Sequence, residues 1–110
     1  DPIDALREMF QGQLHYDLVA VSQEIKWNDI ESYSAIFVDI SLAPRTELDG
    51  YGILSRIKEQ YPSVLKRVAV ITGNHVIEHD MKEHGFIDGE FTIFQKPLRY
   101  MKLYNFITNK

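Results

Sequence analysis

Three short apolar runs punctuate this chain, and each ends in a polar residue of a different kind. Ala35-Ile36-Phe37-Val38 ends at Asp39, Val68-Ala69-Val70-Ile71 at Thr72, and Phe91-Thr92-Ile93-Phe94-Gln95 at Lys96-Pro97. Runs this short and largely without polar alternation read as strands covered on both faces, the condition of a parallel sheet. Helical patterns separate them. Strands alternating with helices predict an α/β fold with a doubly wound parallel sheet and right-handed crossovers.

The remaining segments fit that plan. Pro2 suits a first helical turn, with Ile3, Leu6, Met9 or Phe10, and Leu14 as an apolar stripe that Gly12 weakens or ends. Tyr16 to Val21 reads as a further strand and Trp27 to Ser32 as a short helix. A loop over 40–48 leads into Asp49-Gly50 and a helix with Ile53, Leu54 and Ile57 inward, stopped near Pro62. A helix over about 76–84 is ended by Gly85, and the closing helix carries Leu103, Phe106 and Ile107.

Composition narrows the function classes. With 110 residues, 45% hydrophobic and 25% charged, the chain reads as one globular domain spanning 1–110. The net charge of -4 removes the basic footprint expected of direct nucleic-acid binding. The lack of cysteine excludes disulfides and thiolate metal sites, and fits a cytoplasmic location. No apolar stretch is long enough for a membrane span.

In an open parallel sheet, ligands bind beyond the carboxyl ends of the strands. Asp39, Thr72 and Lys96 are therefore expected to meet in one crevice, with Lys96 in salt-bridge reach of Asp39. A carboxylate nucleophile, a hydroxyl to bind an oxygen and a cation to neutralise charge form the set that phosphoryl transfer needs.

In order and spacing these residues resemble the receiver (CheY-like) domain of a two-component response regulator or hybrid histidine kinase. The matches are Asp39, Leu42 and Pro44 in the next loop, Asp49-Gly50 opening a helix, Thr72-Gly73, and Lys96-Pro97. Asp1-Pro2-Ile3 resembles the stretch just after the acidic pair that ends the family's first strand. The resemblance implies a flavodoxin-like sheet of order 2-1-3-4-5 in which strand 1 and the acidic pair that ends it are absent from residues 1–110; residues before Asp1 or a strand of a neighbouring chain would fill that slot. Tyr16–Val21 and Ala35–Asp39 would then share a sheet without being adjacent.

By that resemblance Asp39 is the phosphoacceptor, taking a phosphoryl group from a phosphohistidine of a sensor histidine kinase or phosphotransfer protein in a phosphorelay. Mg2+ would be held by Asp39, the Ser41 backbone carbonyl and the acidic pair before Asp1. Thr72 and Lys96 would bind phosphoryl oxygens, while Ser41 and Asn74 would tune dephosphorylation. The Lys96-Pro97 bond would be cis. A receiver catalyses its own phosphorylation and slow dephosphorylation, and is not a dedicated enzyme. The Asp39-to-Asp49 loop is longer than the family pattern, near Arg45 and Thr46. The family's aromatic switch position, three before the lysine, is Ile93.

Rival readings leave their own marks. A haloacid-dehalogenase-type phosphatase would carry Asp-x-Asp, but Ser41 stands in the second place. A dinucleotide site would need a glycine-rich turn after its first strand, and none is present. The surviving alternative is a pseudo-receiver, an interaction module that works without phosphorylation. His75 and His79 lie four apart and could clip a metal, although a solvated helix face explains them as well. Tyr100 and Tyr104 lie off the apolar stripe of the last helix and suggest contact with a second copy or an output domain.

Overall fold

The computed structural model describes residues 8–10, 19, 22–40, 47–73, 77–87 and 89–108. Two compact units divide the chain, Val19–Lys96 and Asp1–Leu18 with Pro97–Lys110.

The larger unit holds a three-stranded parallel sheet. Its strands are β1 (Ile36–Asp39), β2 (Val68–Thr72) and β3 (Thr92–Gln95), in spatial order β1-β2-β3. Ile36 faces Val68 and Asp39 faces Ile71; Ala69 faces Thr92 and Thr72 faces Gln95. β2 is central and the most buried, with Val68, Ala69, Val70 and Thr72 at 0% exposure. The order matches the last three strands of the expected sheet. Among the described residues there is no further strand, and Tyr16–Val21 lies outside them except for Val19. Val19 sits in no regular element.

Helix α1 (Gly50–Gln60) forms because Ile53, Leu54 and Ile57 share one face, as the 3.6-residue period demands. Asp49 caps it, its carboxylate accepting from the Gly52 N–H at 2.8 Å. The helix stops at Gln60, and Pro62 opens a 3-10 segment, Pro62–Arg67, that feeds β2. Sequence periodicity did not anticipate this segment, in which Val64 and Leu65 are buried. The expected helix over Trp27–Ser32 is also a 3-10 segment. Arg67 ties the two regions together by donating to the Glu31 and Tyr33 carbonyls at 3.1 and 2.8 Å.

Helix α2 (Ile77–Glu83) buries Ile77 and Met81. Gly85, at φ 88°, follows it in the left-handed conformation that only glycine adopts without strain. Val38, Leu54, Ile57, Val64, Val70 and Phe86 belong to one contiguous core, against which Ile93 packs. Burial of each such aliphatic side chain stabilises the fold by about 1.5–3 kcal/mol.

In the smaller unit, Glu8 and Met9 are helical and α3 spans Tyr100–Thr108, with Leu103 buried. The Phe10 and Tyr104 rings lie 5.1 Å apart. Tyr104 is thus half-buried in an aromatic pair, whereas Tyr100 is exposed. No helix among the described residues is long and apolar enough to cross a membrane.

Candidate functional site

Asp39, Thr72 and Lys96 stand at the carboxyl edge of the sheet because each ends or follows one of three strands in register. The ladder continues past the strands: the Ile40 N–H donates to the Ile71 carbonyl at 3.1 Å, and the Lys96 N–H to the Thr72 carbonyl at 2.8 Å. These bonds seat Lys96 beside the end of β2. Across that edge, Lys96 Nζ donates to Asp39 Oδ2 at 3.2 Å.

The side chains of this pair are 41% exposed at Asp39 and 47% at Lys96, so an incoming group can reach the carboxylate. Exposed ion pairs contribute only about 0–1 kcal/mol to stability. The pair is therefore a poor structural device and a good chemical one: a reachable oxygen nucleophile with a cation already beside it. Thr72, by contrast, is fully buried at the end of the central strand.

A close backbone approach fixes the Asp39 end of the site. A Cβ on Gly50 would lie 2.7 Å from Ile40 Cα, 2.8 Å from Ile40 Cδ1 and 3.3 Å from the Asp39 carbonyl oxygen. Only glycine lets the first turn of α1 rest against the end of β1. Asp49-Gly50 reads in the sequence as a cap and helix start; that the glycine faces Ile40 is visible only in three dimensions.

Other residues singled out in the sequence fall elsewhere. Ser41, Asn74 and Asp1 lie outside the described residues. Mg2+ demands several oxygen ligands in near-octahedral array. Among the described residues no group of three His, Cys, Asp or Glu side chains could hold a metal ion. Asp39 thus does not make a Mg2+ site with the described side chains alone. His75 also lies outside them. His79 instead pairs with Glu83 at 3.1 Å, and His84 stacks on Tyr51 with ring centroids 3.9 Å apart while its Nδ1 lies 2.7 Å from the Asp80 carbonyl.

On the same unit, Lys58 joins α1 to the turn before β3. Its ammonium lies 2.8 Å from Glu90 Oε1 and donates to the Gly85 carbonyl at 3.0 Å. The Lys58 hydrogen bond, helped by the Ile87 N–H, holds the Glu90 carboxyl below its ordinary value against the opposing effect of burial. Burial, with Asp80 and Asp49 nearby, pushes the Tyr51 hydroxyl up.

No family model matches the sequence, and no curated protein does. Solved structures do. The receiver domain of NtrX from Brucella abortus superposes with a TM-score of 0.63 at 21% identity, over 91% of this chain and 81% of that one. The chain has the fold of a receiver domain. A second crystal structure of NtrX from the same organism matches with a TM-score of 0.57 and 23% identity, over 91% of this chain and 22% of the longer one. Within the receiver fold, the Asp39–Lys96 pair occupies the carboxyl edge of the sheet, where ligands of open α/β sheets bind.

Proposed function

We infer that the chain is a two-component receiver that accepts a phosphoryl group on Asp39. The observation that carries this reading is the half-exposed Asp39–Lys96 pair at the carboxyl edge of a receiver-like sheet. An Asp39 carboxylate oxygen attacks the phosphorus of a phosphohistidine on a sensor kinase or phosphotransfer protein. The P–N bond breaks, its electron pair returns to the imidazole nitrogen, which takes a proton, and an acyl phosphate remains. Lys96 then exchanges its bond to the carboxylate for one to a phosphoryl oxygen, so the added charge is met by a cation already in place. Thr72 ends the strand between the two with its side chain buried, and its hydroxyl would meet a phosphoryl oxygen only by turning out into the crevice. The receiver-like fold supports a partner of the histidine-kinase or phosphotransfer class.

Mg2+ enters this reading as a requirement to be measured. Incubation with a small phosphodonor such as acetyl phosphate, with and without Mg2+, followed by intact-mass spectrometry, tests the whole proposal. The expected outcome is addition of one phosphoryl group, lost in Asp39→Asn. An unlabelled parent chain under conditions that label a control receiver would count against this reading and in favour of a pseudo-receiver.

A further inference from the structure

A second site lies on the same unit and shares no residue with the first. Ser22, Gln23, Trp27, Glu47, Leu48 and Arg56 line a cleft of about 340 Å³ beside α1. Its walls are tied together: the Leu48 N–H donates to Ser22 Oγ at 2.7 Å and the Glu47 N–H to Gln23 Oε1 at 3.1 Å. Ser22 is only 3% exposed.

Two groups of opposite charge line this cleft, Arg56 and the exposed Glu47. The Arg56 guanidinium carbon lies 4.2 Å from the centroid of the Trp27 ring, and Arg56 Nε donates to Gln60 Oε1 at 3.4 Å. Trp27 is itself braced by Tyr61, with near-parallel rings 6.1 Å apart. A guanidinium seated over an indole, with only its Nε engaged by Gln60, keeps its outer N–H groups for a planar anion. Among the described residues neither Arg56 nor Glu47 takes part in an ion pair, with each other or with any other side chain.

We propose that this cleft binds a small zwitterion, an α-amino acid with an apolar side chain, its carboxylate on Arg56 and its ammonium on Glu47. Trp27 and Leu48 supply the apolar wall. A simple anion would satisfy Arg56 but meet Glu47 with like charge, and a simple cation would do the reverse. Opposite charges left unpaired in one small cavity therefore select a ligand that carries both. The proposal does not depend on the phosphoacceptor reading.

L-phenylalanine is a suitable probe, with hydrocinnamate lacking the ammonium and phenethylamine lacking the carboxylate. Titration calorimetry measures affinity, and the indole N–H resonance of Trp27 reports location, since the chain has one tryptophan. L-phenylalanine is expected to bind saturably and at least about tenfold more tightly than either analogue, one charged contact being worth that much or more. Arg56→Gln and Glu47→Gln should each weaken it by about tenfold, and Asp39→Asn should leave it unchanged. No saturable binding at about 10 mM ligand would overturn the proposal, because weaker affinity leaves no net recognition by two charged contacts. So would equal binding of the analogues, or unaltered binding by both variants. If Arg56→Gln does not fold, Glu47→Gln and the analogue comparison with the parent chain decide the matter.

Discussion

At the scale of single residues, the site rests on a division of labour between exposure and burial. Asp39 and Lys96 are each about half open to solvent, while Thr72 is sealed in the central strand. Lys96→Ala is expected to change stability by less than about 1 kcal/mol, since an exposed ion pair is worth no more. Loss of the cation should nevertheless slow phosphodonor labelling by about 10²-fold, the order seen when one charge-stabilising donor is removed. Urea unfolding and a labelling time course measure the two effects separately. A large stability loss with unchanged labelling would show that the lysine is structural.

At the scale of elements, α1 carries two demands along its length. Its first turn must come close to β1, and its middle must fill the core. Gly50→Ala places a methyl group 2.7 Å from Ile40 Cα, so β1 and α1 must separate. The expected cost is about 1–3 kcal/mol by overpacking. Ile57→Ala leaves a void where the parent side chain has 0% exposure, and about 2–5 kcal/mol is expected. Only the glycine variant should also disturb labelling, because only it moves the backbone that carries Asp39. The Lys58–Glu90 bridge acts on the middle of the helix. The Glu90 carboxyl is lowered in the folded chain, chiefly by the Lys58 hydrogen bond. Its contribution is therefore present above the unfolded-state value and is lost as pH falls through the folded one. Denaturation followed from neutral to acid pH should show the stability gap between the parent and Glu90→Gln closing over that range.

At the scale of the whole molecule, the larger unit is built outward from β2. This strand pairs on both sides and buries Val68, Ala69 and Val70 completely. Native-state hydrogen exchange should find its amides the slowest in the chain, opening only with global unfolding. The turn over 89–91, held mainly through Glu90, should exchange much faster. If β2 amides exchange as fast as that turn, the sheet is not the cooperative centre of the fold.

How much of this was legible in the sequence follows from the range of the forces involved. The three apolar runs announce β1, β2 and β3 because a strand covered on both faces must be apolar throughout, and that signal is local. The stripe of Ile53, Leu54 and Ile57 likewise announces α1, and the glycine after α2 marks its end. The ordering of polar residues at the strand ends marks Asp39, Thr72 and Lys96 as candidates in the sequence alone. What stayed hidden depends on pairs distant along the chain. The 3-10 segment Pro62–Arg67 carries no period long enough to read, and its Arg67 finds its acceptors at Glu31 and Tyr33. The seat of Arg56 on Trp27 and the bridge from Lys58 to Glu90 join residues that no sequence window contains together, and the contact of Gly50 with Ile40 follows from packing and not from any period. Local periodicity determined which segments became strands and helices; close packing between them, decided only on folding, determined which side chains became neighbours.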